Sequence, residues 1–207
     1  MLLLNVFEVI GTVAFAISGA LIGIDKKLDL FGVIFLSITT AVGGGIFRDI
    51  IIGNTPPTAF IKPTACIISI ATALITFKFY EKIHKLKNII MISDAIGLSV
   101  FTGVGAAAAI IKGMNEPFIA VTMGLITGIG GGILRDVFVK DIPFVFRKEI
   151  YAVASMLGAL SFYFSYNTFS YEISLYICFI VTFIIRIVTI INNVHLPVPK
   201  SENNVDA

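Results

Sequence analysis

Six ionisable residues of this 207-residue chain stand inside otherwise apolar sequence: Glu8, Arg48, Asp49, Asp94, Arg135 and Asp136. Charge in such surroundings is costly, and it persists where it pairs, braces a helix or borders an ion path. Two of the pairs lie in stretches that read almost alike, GGGIFRDIIIGNTPP from Gly43 to Pro57 and GGGILRDVFVKDIPF from Gly130 to Phe144. Each Arg has a carboxylate next door and a second, Glu8 or Asp94, about 40 residues earlier. The expected role of all six is bracing, gating is equally compatible, and Glu8 and Asp94 also fit a simple placement at span ends. Catalysis is not expected. His84 lies in a basic loop and His195 in a polar tail, so no histidine cluster can hold a metal or act as a base. Phosphate-loop and nucleophile-elbow patterns are missing, and neither an enzyme activity nor a cofactor is predicted.

The elements that must position these charges follow from composition. Hydrophobic residues make up 57% of the chain and charged residues 14%, against about 25% charged in a soluble domain. Apolar runs repeatedly reach the roughly 18 to 20 residues that cross a bilayer. The expectation is an all-α membrane protein with seven transmembrane helices, near 4–24, 30–53, 62–80, 89–111, 117–139, 148–166 and 171–192. One bundle over 1–194 is followed by a polar tail, 195–207. The first run carries Glu8 early and its lysines late, the reverse of a signal peptide, so it reads as a mature helix. Cys66 and Cys178 each sit in an apolar run and read as unpaired. A net charge of +2 without a basic stripe gives no reason to expect nucleic acid.

With Arg48 and Arg135 set aside, eleven Lys and Arg fall on one side of a seven-span arrangement and only Lys62 and Lys112 on the other. By the positive-inside rule the N-terminus lies outside and the C-terminus in the cytoplasm of a cell (inner) membrane. The basic loop KFYEKIHKLK belongs to the cytoplasmic side, where anionic lipid heads are possible partners and a plain topology signal is the simpler reading. Tyr80, Tyr151, Tyr163, Tyr166 and Tyr171 fall near span ends, as an interfacial belt would.

Shifted by 87 residues, Thr40 falls on Thr127, Gly43–Gly45 on Gly130–Gly132, and Arg48-Asp49 on Arg135-Asp136. Shifted by 86, Glu8 falls on Asp94, Gly11 on Gly97, Phe15 on Phe101 and Gly19 on Gly105. Repeat one (about 4–80) and repeat two (about 89–166) each hold three spans, so the second enters from the opposite face, leaving a seventh helix at 171–192. Inverted repeats build sites at the bilayer midplane from broken helices. Gly44 lies about 21 Å into its span at 1.5 Å per residue, and three glycines disfavour helix by up to about 1 kcal/mol each. A functional break in helices 2 and 5 is expected; close helix packing or a plain helix end is the alternative. Ser37, Thr40 and Thr127 either line a wet path there or bond back to the backbone.

With these paired GGGIFRD and GGGILRD motifs, the chain resembles prokaryotic members of the trimeric intracellular cation (TRIC) channels, up to about Val194. The resemblance implies a homotrimer with one pore per subunit, lined by helices 2 and 5, that passes potassium and other monovalent cations such as sodium. By motif, Gly43, Gly44, Gly45, Gly130, Gly131 and Gly132 would be pore and hinge positions. Animal members carry a Lys-Glu-Val motif and bind phosphoinositide lipid; no such tripeptide occurs here. Bacterial relatives also carry the label glycine transporter, which keeps a carrier for a small amino acid as the second reading.

Overall fold

The computed structural model describes residues 2–86, 88–147 and 150–192, with no side-chain account for 2–4 and 147. The expected polar tail and the topology lysines Lys87, Lys148 and Lys200 lie outside the described residues. Everything regular among those described is helical: α1 (Leu2–Asp25), α2 (Leu30–Ile51), α3 (Thr58–Ile61), α4 (Thr64–Lys78), α5 (Tyr80–Ile83), α6 (Ile89–Ile111), α7 (Pro117–Phe138), α8 (Phe144–Arg147), α9 (Ile150–Tyr166) and α10 (Tyr171–Asn192). Helices α1, α2, α6, α7 and α10 are long and apolar enough to cross a membrane; α4 and α9, with 15 and 17 residues, are shorter apolar helices. A helix in lipid satisfies its own backbone, and 22 residues at 1.5 Å each reach about 33 Å, enough for a hydrocarbon core of about 30 Å. This is a multi-pass membrane protein.

The repeat is visible in how the helices end. Lys27 and Gly113, 86 residues apart, both take a left-handed conformation just after α1 and α6; Gly53 and Lys140, 87 apart, do so after α2 and α7. Each closes its helix with the same pair of reversed bonds. Leu28 N–H donates to the Gly23 carbonyl as Met114 does to Ala109, and Asn54 to Asp49 as Asp141 does to Asp136. Two of these four sites carry lysine, which bears the strain of a positive φ that glycine avoids. The starts differ. Asp29 caps α2 by accepting from Gly32 N–H at 2.8 Å, whereas α7 begins with Pro117 at its first position.

Two three-helix units result, α1 with α2 and α4, and α6 with α7 and α9. They meet along α1 against α6 and α2 against α7, while α10 lies on α6 and α9. The α1–α6 contact is reciprocal. The rings of Phe15 and Phe101, equivalent by the 86-residue shift, stack at 5.4 Å between centroids with planes 16° apart. Gly97 leaves room for Phe15, and Gly11 for Phe101 and Val100. Away from this contact, Cys178 is buried among Ala106, Phe162 and Leu175; both cysteines are free.

A Cβ at Gly97 would strike the Phe15 ring, with Cγ only 2.6 Å away and backbone on the far side fixed by the helix. Gly97→Val is therefore expected to destabilise the fold by about 1–3 kcal/mol through overpacking, read as a lowered midpoint of thermal unfolding in detergent.

Candidate functional site

The expected glycine breaks are not present. Helix α2 runs without interruption through Gly43–Gly45, and α7 through Gly130–Gly132. The glycines serve a crossing instead. A Cβ on Gly44 would collide with the carbonyl oxygen of Thr127, and one on Gly131 with that of Thr40. Those two statements are one contact seen from its two symmetric sides, since 40 and 44 map onto 127 and 131. At the centre, the Cβ position of Gly130 lies 3.0 Å from Gly44 Cα. Two backbones approach this closely only without side chains between them, and the packing gained offsets glycine's poor helix propensity.

The third glycine of each triplet does something else. Gly45 has only Arg48 Nη2 near its Cβ position, at 3.9 Å, and Gly132 faces Tyr151 Oη at 3.3 Å and Arg135 Nη2 at 3.8 Å. Each leaves space beside its own repeat's arginine.

The hydroxyls flank the crossing. Thr40 donates to the Leu36 carbonyl and Thr127 to that of Met123, both at 2.6 Å, one turn back on their own helices. Ser37 reaches across to the Ala16 carbonyl at 2.9 Å and that of Ser69 at 3.3 Å, tying α2 to α1 and α4. All three are fully buried. Gly19 of α1 and Gly105 of α6 pack against Thr40 and Thr127 respectively. Small residues thus seat each threonine on both sides.

A charged layer lies beyond the crossing in each repeat, and the two layers differ. In repeat two, Arg135 is wholly buried. Its Nη1 donates to Asp94 Oδ1 at 2.5 Å and to Ser18 Oγ at 2.7 Å, and its Nε to Asp136 Oδ1 at 2.8 Å. The Phe144 ring covers the guanidinium at 4.9 Å. In repeat one, Arg48 bonds Asp49 Oδ1 through Nε and Nη2, at 2.9 and 2.8 Å, and its side chain keeps 12% exposure. Asp94 is buried and paired, but its counterpart Glu8 is half-buried and forms no ion pair with Arg48 among the described residues.

The aspartates have a second task that is shared. Asp49 Oδ2 accepts from Thr58 N–H at 2.7 Å, and Asp136 Oδ2 from Phe144 N–H at 2.9 Å. Thr58 and Phe144 are the first residues of α3 and α8, each preceded by a proline that cannot cap with its own side chain. The carboxylate at the end of the long helix thereby caps the short helix that follows, favoured by the positive end of that helix.

Four contributors were not singled out from sequence. Ser18, Tyr151, Phe144 and Arg186 complete the repeat-two layer. Tyr151, expected in an interfacial belt, is 2% exposed, and Arg186, counted among the topology charges, is 3% exposed with its guanidinium 4.6 Å over the Tyr151 ring. Arg186 stands six residues inside an apolar span, a signal that was available. Ser18 had none, because its partner is 117 residues away. Outside the spans, Tyr80 donates to Asp25 at 2.7 Å, and this bond to a carboxylate pushes its phenol above the ordinary value.

The family model described as Glycine transporter matches the chain twice, over residues 5–81 and 91–167, the spacing of the repeat. The UPF0126 inner membrane protein YadS of Escherichia coli (strain K12) is 38% identical over 200 residues, covering 95% of this chain and 96% of that protein. The UPF0126 membrane protein YvgT of Bacillus subtilis (strain 168) is 37% identical over 198 residues, covering 93% and 95%. Among solved structures, a prokaryotic TRIC channel crystallised in 0.5 M KCl superposes with a TM-score of 0.88 at 38% identity, covering 94% of this chain and 99% of that one. The TRIC orthologue from Rhodobacter sphaeroides gives 0.88 at 31% identity, covering 94% and 100%. The chain belongs to the prokaryotic TRIC family. Both the glycine-transporter description and the TRIC structures thus attach to one fold, whose doubled unit in this TRIC-family chain is the one crossing at Gly44 and Gly131.

The crossing separates glycines that look alike in sequence. Gly44→Ala and Gly131→Ala each place a methyl against fixed backbone and should lower stability by about 1–3 kcal/mol, whereas Gly45→Ala meets open space and should leave the midpoint of thermal unfolding unchanged or slightly raised. Asp94→Ala strips the buried Arg135 of one of its two carboxylates and should cost about 3–5 kcal/mol, measured in the same way.

Proposed function

We propose that this protein is a passive channel for monovalent cations, potassium and sodium among them, working as a homotrimer with one path per subunit. The observation that carries this reading is the near full-length likeness to solved TRIC cation channels. The path follows the crossing of α2 and α7, between the layers around Arg48 and Arg135. In this reading the chain crosses seven times, counting the shorter α4 and α9, and the positive-inside rule puts the N-terminus outside and the C-terminus in the cytoplasm.

In this reading the glycines at 43–45 and 130–132 form a seam that parts when the path opens. Backbone held by side-chain interlocking would resist such motion; backbone resting on backbone slides with little repacking. Ser37, Thr40 and Thr127 bond to carbonyls in the present arrangement, and those hydroxyls and carbonyls are the groups that would face a permeating cation. Asp94 and the two Arg-Asp pairs hold the helix ends while the seam moves. The second reading, a carrier for glycine or another small amino acid, is favoured by the description of the matching family model and by the inverted repeat, which suits alternating access.

Current across a planar bilayer containing the purified protein, under a potassium chloride gradient, tests the proposal. Discrete openings with a cation-selective reversal potential are expected. Saturable uptake of labelled glycine into liposomes without such currents would establish the carrier instead. Gly44→Ala and Gly131→Ala are each expected to alter the currents grossly while the trimer stays assembled on size exclusion; normal conduction in both would exclude the seam.

A further inference from the structure

Helix α4 has 15 residues, a length of about 22 Å at 1.5 Å per residue, well short of a hydrocarbon core of about 30 Å. Its end at Lys78 is therefore met by headgroups drawn inward, as a short span thins the bilayer around itself. Beyond that end the chain does not leave the membrane surface at once. Phe79 interrupts the helix, α5 adds one turn, and Tyr80 anchors that turn to the end of α1 through its bond to Asp25. His84 stacks on Tyr80 at 5.0 Å, fixing the far end of the turn as well.

Around this anchored turn Lys78, at the end of α4, Lys82, within α5, and Lys85, just after it, are all exposed. The ammonium groups of Lys78 and Lys82 lie 5.7 and 5.9 Å from the centroid of the same ring, Phe79, which is itself 43% exposed. An apolar ring flanked by two cations matches the boundary between acyl chain and phosphate. Among the described residues none of the three lysines meets a carboxylate within 4.0 Å, and the turn itself contributes one acid, Glu81. By contrast Lys26, on the loop after α1, is already engaged by Asp141 at 2.7 Å.

We propose that Lys78 and Lys82, flanking Phe79 at the end of α4, form together with the exposed Lys85 of the same segment a binding site for an anionic phospholipid of the surrounding leaflet. The phosphate sits among the ammonium groups and the acyl chain runs down the exposed α4 face of Leu74, Ile75 and Phe77. A topology signal alone needs only the charges. It does not need them held around an exposed ring at phosphate depth.

The test uses the purified full-length protein in detergent, offered equal amounts of phosphatidylglycerol and phosphatidylcholine, with bound lipid counted by native mass spectrometry. Each lysine near the phosphate is expected to contribute about fivefold at low salt, and the three together on the order of 100-fold. K78Q/K82Q/K85Q should cut the preference for phosphatidylglycerol at least tenfold, while K62Q/K112Q, at other loops, leaves it intact. The wild type gives an independent reading, since raising salt from about 50 to 500 mM should erase most of the preference. No preference in the wild type, one that survives high salt, or equal losses in the two variants would each overturn the site.

Discussion

Two helices of this protein touch backbone to backbone, and most of the molecule is arranged around that approach. In lipid, association between helices gains little from the hydrophobic effect and rests on close packing. The contact of Gly44 with the Thr127 carbonyl, repeated as Gly131 with the Thr40 carbonyl, is as close as packing allows. Side chains cannot enter, so the charged groups are pushed one turn farther along each helix. Beyond the Arg-Asp pairs themselves, their partners come from neighbours: Ser18 from α1 and Asp94 from α6 for Arg135, and the start of a short helix for each aspartate.

The two repeats share a backbone plan but not an electrostatic one. Around Arg135 two carboxylates and a hydroxyl converge in a fully enclosed setting, and Phe144 and Tyr151 exclude solvent. Around Arg48 a single aspartate suffices because the guanidinium keeps some exposure, and hydration offsets what a second acid would supply. A buried arginine that loses a partner is heavily penalised, whereas a partly hydrated one is not. The layer around Arg135 is accordingly the stiffer of the two. The extra helix α10 lies mainly on that unit, where Arg186 stacks on Tyr151, and touches the other through Tyr176 and Phe179 against the Phe7 ring.

How much of this was legible in the sequence depends on the range of the interaction. The runs expected near 4–24, 30–53, 89–111, 117–139 and 171–192 match α1, α2, α6, α7 and α10 to within a few residues, because apolar length is a local property. The repeat was legible too, since Glu8 and Asp94 or Phe15 and Phe101 can be aligned by eye. The use of the glycines was not. Three consecutive glycines look the same whether they break a helix or admit another, and the deciding partner, Thr127 for Gly44, is 83 residues away. In lipid the backbone also lacks water to take over broken bonds, which favours the intact helix. Tyr151 shows the same gap. A tyrosine near a span end belongs to the interface by default, and only the arginines above and beside it draw it inside.

The doubled contacts have one more consequence. Phe15 against Phe101 and Gly44 against Gly131 each join a residue to its own counterpart, and Gly11 against Phe101 is answered by Gly97 against Phe15. A surface that meets its own inverted image in this way is self-complementary, the property of an isologous dimer interface. The chain is in effect an antiparallel dimer tied into a single polypeptide by the loop between α5 and α6. Symmetry in such an object is a property of the shared surface alone. The residues away from it are free to diverge between the halves, and the unequal settings of Arg48 and Arg135 are where they have done so.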